Sequence, residues 1–197
     1  MVATKERILD ATAELFRAYG YTGTGLKQVV AAANAPFGSL YHHFPGGKQE
    51  LGAAVIHRSG QMYFELVMGV VDAAPDLLTG VRDCFEGAAA VLEATDYADA
   101  CPIATVALEV ASTNEPLRIA TAEVFEGWIQ GAVERFALDV GATKARELAI
   151  MLIAALEGAF ILCRASRSTE ARHVAGAMVS DAVRAALDEA TASRSAE

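Results

Sequence analysis

One short stretch concentrates side chains with the chemistry of a nucleic-acid contact. Phe37, Ser39, Tyr41 and His42 lie within LKQVVAAANAPFGSLYHHF (Leu26–Phe44), and Lys48 follows just beyond it. Hydroxyl and imidazole groups can hydrogen-bond base edges, an aromatic ring can meet a thymine methyl, and a Tyr hydroxyl or a Lys ammonium can hold a phosphate. On this reading Phe37, Ser39 and His42 go to bases, and Tyr41 and Lys48 to phosphates. Lys27 and Gln28, just upstream, anchor the sugar-phosphate backbone. Packing of Phe37 against a neighbouring helix stands as the alternative for that residue.

Such contacts need two helices with a tight joint. Leu26, Val29, Val30 and Ala33 fall at i, i+3, i+4 and i+7, an apolar stripe at helical spacing. Asn34 takes a left-handed turn conformation at lower cost than most residues. Pro36 suits the first position of a new helix, where its missing N–H is no loss. In that second helix, Phe37–Phe44, Leu40 and Phe44 make an i, i+4 core contact. The result is a helix-turn-helix, whose second helix can enter the major groove.

A first helix is expected from an N-cap at Thr4 to about Tyr19, burying Ile8, Leu15, Phe16 and Tyr19, with Gly20 as its left-handed stop. Thr24 or Gly25 begins the motif. After Phe44, the glycines of PGGK can bring backbone N–H groups to a phosphate where a long helix starts near Lys48. That helix runs to about Val71. Further helices are expected from Pro75 to Thr95, Pro102 to Ser112, Glu115 to Val140 (closed by Gly141), Thr143 to Ser166 and Thr169 to Ala192. Tyr97–Ala100 reads as a polar break and SRSAE as a frayed tail. No strand pattern or repeat is visible, so the fold class is all-α.

Composition narrows the chemistry. The 197-residue chain is 53% hydrophobic with net charge −9, but residues 1–50 carry five basic and four acidic side chains, so the negative charge resides in the rest. A near-neutral head on an acidic body can meet DNA through a few placed cations. Acidic and basic residues interrupt any N-terminal apolar run, and Glu157 interrupts Leu148–Cys163, which reads as a core or interface helix and not a membrane span. Three widely spaced cysteines predict no disulfide framework or zinc site and fit a reducing cytoplasm. His42 and His43 are adjacent and point about 100° apart on a helix, so they do not converge on a metal. No nucleophile–base spacing, carboxylate pair or Gly-rich phosphate loop points to catalysis. No cofactor is expected.

The run LFRAYGYTGTG followed by a motif ending SLYHHFPGGKQEL resembles the DNA-binding domain of the TetR family of transcriptional regulators, over about the first 55 residues. CPIATVALE (Cys101–Glu109) and the later LEGAFILCRASRS resemble the LmrA/YxaF-type branch of that family. The resemblance implies an N-terminal three-helix helix-turn-helix domain in residues 1–50 and a helical effector-binding and dimerisation domain in 51–197. It also implies a homodimer that represses by binding a palindromic double-stranded operator and is released by a small-molecule effector. Two positions depart from the family pattern: Phe37 stands where Lys or a polar residue is common, and Gly25 where Ser or Thr caps. A small-molecule binding protein with weak DNA affinity is the alternative these departures suggest.

In the body, Glu157 lies in an otherwise apolar helix, where a buried carboxylate needs a partner. It either faces an effector or pairs with an Arg such as Arg164 at an interface. Trp128 with Phe125, and Met62, Phe85 and Met151, are the further candidates for a largely apolar effector site, with plain core as their alternative. Leu152, Ala155, Ala159 and Leu162, then Val174, Met178 and Val179, repeat on helix faces and predict a four-helix dimer interface.

Overall fold

A computed structural model of the chain describes residues 3–98 and 101–195. The fold is all-α, with nine helices among the described residues: α1 (Thr4–Tyr19), α2 (Leu26–Ala32), α3 (Phe37–His43), α4 (Gly47–Ala73), α5 (Leu77–Ala94), α6 (Pro102–Val110), α7 (Glu115–Val140), α8 (Ala142–Ser166) and α9 (Glu170–Ser195). They form two compact units. One comprises Met1–Tyr63 with Ala100–Phe125, the other Phe64–Asp99 with Glu126–Glu197. The end of the expected polar break, residues 99 and 100, lies outside the described residues. So do the last two residues of SRSAE, whose first three continue α9.

In the first unit α1, α2 and α3 pack on one another and α1 also packs on α6. Ile8, Phe16, Val29, Leu40 and Phe44 are buried, as the helical spacing predicts, and Leu51 joins them, whereas Leu15, expected inside, is half-buried. Helix starts differ from expectation in instructive ways. Arg7 N–H bonds to Ala3 O, so Ala3 is the cap and Thr4 is already helical. Pro36 is the cap of α3, not its first residue: its carbonyl accepts from Ser39 and Leu40 N–H while its own backbone is extended. Thr24 does not cap α2, because it is buried and its hydroxyl donates to Gly20 O at 2.7 Å. Gly25 caps instead, with its N–H bonded to Gln28 Oε1 at 2.7 Å. Gly20 has φ +70° and reverses the chain, so Tyr21 packs edge-on to Phe16 at 5.6 Å. Tyr19, expected inside, is therefore left 61% exposed.

In the second unit α5, α8 and α9 pack together around Val81, Phe85, Phe136, Leu148, Leu152, Val179 and Val183. Helix α5 begins after Pro75, with Asp76 accepting from Thr79 N–H at 2.7 Å. A carboxylate can receive that amide and Pro cannot, which fixes the start two residues later than expected. The Thr79 amide also holds the Asp76 carboxyl below the usual carboxylate range. Helix α8 is long and apolar enough, by length and composition, to cross a membrane. Its Leu148, Ala149, Leu152, Ala159 and Cys163 are buried in the protein, while Ile150, Met151, Ile161 and Leu162 are exposed.

Candidate nucleic-acid interface

Helix α3 is held by its apolar side and presents the other. Leu40 and the capping Phe44 are buried, whereas Phe37 is 40% and Tyr41 50% exposed. The two rings lie one turn apart and stack at 6.5 Å with an interplanar angle of 23°. His42 is exposed beside them and Ser39 is half-buried. Phe37 is thus partly exposed and stacks on a residue of its own helix. It joins Tyr41 in an aromatic surface on the helix expected to enter the groove.

The turn before α3 is set by Asn34 at φ 46°, the left-handed conformation read from the sequence. Arg7, 27 residues upstream of Asn34, reinforces it. Its Nε donates to Ala33 O at 3.0 Å and its Nη2 to Asn34 O at 3.3 Å. A guanidinium there satisfies carbonyls that the end of α2 leaves free and places positive charge at the negative end of that helix. Sequence reasoning missed Arg7, and no local signal could have found it. Gln28 was different: its spacing from Gly25 is that of an N-cap and the third helical residue, which a capping-box search reveals.

Three expected phosphate contacts are engaged within the protein. The exposed Gln28 spends its carbonyl on the Gly25 amide, as above. Lys48 is half-buried, its Nζ 4.3 Å above the Tyr21 ring, and burial lowers its pKa against the opposing charge of Glu109. The amides of PGGK are not a free anion cradle. Gly46 N–H donates to Glu50 Oε2 at 2.6 Å and Gly47 N–H to Phe44 O at 2.9 Å. Lys27 is exposed.

Helix α6 joins this unit through Glu109, which the sequence did not single out. Its Oε2 accepts from Thr22 N–H at 2.7 Å. Cys101 begins α6 as a buried cap, its Sγ accepting from Ala104 N–H at 3.4 Å.

Residues 8–55 match the family description "Bacterial regulatory proteins, tetR family" and residues 78–178 match "Transcriptional regulator LmrA/YxaF-like, C-terminal domain". The chain belongs to the TetR family. It is a transcriptional regulator with a helix-turn-helix DNA-binding domain, and its relatives are regulators and not enzymes. It is 30% identical over 173 residues to the HTH-type transcriptional regulator LmrA of Bacillus subtilis (strain 168), a match covering 87% of this chain and 92% of that protein. Among solved structures it resembles the reduced form of E. coli NemR, with TM-score 0.77 and 22% identity over 90% of this chain and 96% of that one. It also resembles a cysteine mutant of the TetR-family regulator CifR complexed with 26-bp double-strand operator DNA. There the TM-score is 0.73 and the identity 22%, over 91% of this chain and 95% of the other.

The remaining candidate residues are dispersed. Met62 and Phe125 lie in the first unit, exposed and half-buried respectively. Phe85, Trp128, Met151 and Glu157 lie in the second. Of these, Phe85 is buried in the core and lines a cavity between α5 and α9. Trp128 and Glu157 are half-buried and Met151 is exposed. Arg164, the suggested partner of Glu157, donates from Nε to Tyr97 O at 3.2 Å. The charge of Glu157 acts on Arg172. Of the expected interface residues, Leu152, Ala159 and Val179 are buried within the second unit itself and Ala155 is half-buried. Leu162 (60%), Val174 and Met178 (68%) are exposed. Among the described residues no group of His, Cys, Asp and Glu is placed to hold a metal ion.

Proposed function

We propose that the protein is a cytoplasmic homodimeric repressor that binds a palindromic operator through α3 and is released by a small, largely apolar effector. The observation that carries the DNA reading is the exposed Phe37–Tyr41 pair on the second helix of the motif, with His42 beside it. Phe37 meets a thymine methyl, Ser39 and His42 meet base edges, and Tyr41 donates to a phosphate. Lys27 contacts a second phosphate, and Lys48 reaches one by rotating off Tyr21. The division of labour is a DNA-binding domain in residues 1–50 and an effector-binding and dimerisation domain in 51–197.

Dimerisation is supported by the apolar side chains that α8 and α9 leave in solvent, notably Leu162, Val174 and Met178. Large apolar side chains exposed on two helices that pack on each other suit an interaction surface, and two copies would read two half-sites. The effector acts by binding more tightly to the state with lower operator affinity, and shifts the equilibrium by no more than that difference. Trp128 and Glu157, half-buried in the second unit, are the residues proposed to meet it. Sedimentation of the wild type and a Leu162→Lys, Met178→Lys variant tests the interface. The wild type should run as a dimer and the variant as a folded monomer with lost operator binding. A monomeric wild type that binds operator equally well contradicts the proposal.

A further inference from the structure

Arg172, in the first turn of α9, is fully buried, and none of its Nε, Nη1 and Nη2 has a hydrogen-bond acceptor. Its guanidinium carbon lies 3.3 Å from the ring centroid of Phe160 on α8. A ring placed over a guanidinium engages its face and leaves the N–H donors, which radiate in the plane, buried and without an acceptor. Burial lowers the group's pKa from 12.5 to about 10, with Cys163 and Glu157 acting in the other direction, so it remains a cation at neutral pH. A buried cation with idle donors is costly unless something supplies an acceptor.

Ser180 on the same helix repeats the anomaly, since its buried Oγ has no partner either. Arg172, Gly176 and Ser180 fall at i, i+4 and i+8, on one stripe of α9. All three line a cavity of about 300 Å³ between α5 and α9, with Phe85 as its apolar wall. That volume lies at the lower end of the range for small-molecule sites. At Gly176 the helices approach so closely that a Cβ would lie 2.9 Å from Phe85 Cβ. The other lining arginines are already paired: Arg82 with Asp83 and Glu86, and Arg184 with Asp181 at 2.7 Å.

We propose that this cavity binds a small organic anion whose carboxylate or phosphate accepts from Arg172, whose body rests on Gly176 and Phe85, and whose far polar group reaches Ser180. Arg is suited to such an oxyanion because its N–H fork matches two oxygens at once.

The test is calorimetric titration of the full chain with benzoate, 4-hydroxybenzoate, phenyl phosphate and, as a neutral control, benzyl alcohol. The anions should bind at least tenfold more tightly than benzyl alcohol, and the carboxylate and phosphate arms tell which oxyanion is preferred. Arg172→Met should erase that advantage without lowering the melting temperature of the unliganded protein, because it removes a buried cation whose N–H donors have no acceptor while keeping an apolar stem against Phe160. Ser180→Ala should erase only the gain of 4-hydroxybenzoate over benzoate. Arg172→Lys, which keeps the charge but not the fork, should weaken the anions several-fold and serves if the Met variant does not fold. Equal binding of benzoate, phenyl phosphate and benzyl alcohol, or anion affinities unchanged in the Arg172 variants, would overturn the proposal. None of these readouts involves DNA, so the result stands apart from the operator assays.

Discussion

Glu109 of α6 closes over Gly20 at the end of α1. With φ at +70°, Gly20 holds a conformation that L side chains rarely adopt, and a Cβ there would collide with the Glu109 carboxylate. The same carboxylate takes the Thr22 amide two residues on. Gly20→Ala should therefore destabilise the protein by about 1–3 kcal/mol through backbone strain, and Glu109→Ala by about 1 kcal/mol through the lost amide bond. Because the two residues share one contact, their effects should be non-additive, as a double-mutant cycle by urea denaturation would reveal.

Arg7 ties α1 to the carbonyls that end α2. Arg7→Met keeps the aliphatic stem and removes both donors, and should cost roughly 1–2 kcal/mol, in the range for hydrogen bonds to charged groups that are partly exposed. Amide hydrogen exchange should quicken at Ala35, whose N–H bonds to Val30 O inside this turn. Unchanged exchange there would show that the turn does not depend on Arg7.

Gly25 caps α2 with φ −96° and ψ 147°, a conformation open to any residue, and a Cβ there meets Gln28 Oε1 only at ordinary contact distance. Gly25→Ser should stabilise the protein by a few tenths of a kcal/mol, the usual gain of Ser over Gly at a cap. Gln28→Ala should act oppositely, and the urea midpoint reads both.

Cys84 is buried, with its thiol raised from 9.0 to about 12 by burial and then by the charge of Asp83. A raised folded pKa means its contribution is fully present below the unfolded value and is lost as pH rises from 9.0 toward 12. Stability of the wild type should fall over that window, and Cys84→Ala should flatten the fall. Iodoacetamide at neutral pH should label this thiol only after denaturation, as intact-mass spectrometry will show.

Local patterns were legible and distant ones were not. Helix α3 and its core contacts followed from Leu40 and Phe44 at i, i+4, and the turn followed from Asn34, because both depend on residues within a few positions. The exposure of Tyr19 did not, since it depends on Gly20 reversing the chain so that Tyr21 fills the place beside Phe16. Glu109 reaches Thr22 across 87 residues and Arg7 reaches Ala33 across 26, distances that carry no period. The PGGK amides misled for a related reason: a free N–H was inferred from glycine, but Glu50 one turn on already occupies it. Arg172 was invisible because a lone Arg in a helix ordinarily reads as surface, and the ring it stacks on, Phe160, lies on another helix.

The most direct test of the regulator reading is fluorescence anisotropy of the intergenic DNA upstream of the coding sequence, titrated from about 50 to about 200 mM salt. Wild-type protein should bind saturably with two chains per site. Tyr41→Phe should weaken binding at every salt concentration, and Lys48→Gln should lower the log–log slope by about one. Wild-type binding that is absent at low salt, or affinities and slopes untouched by both substitutions, would contradict DNA recognition through α3 and the start of α4.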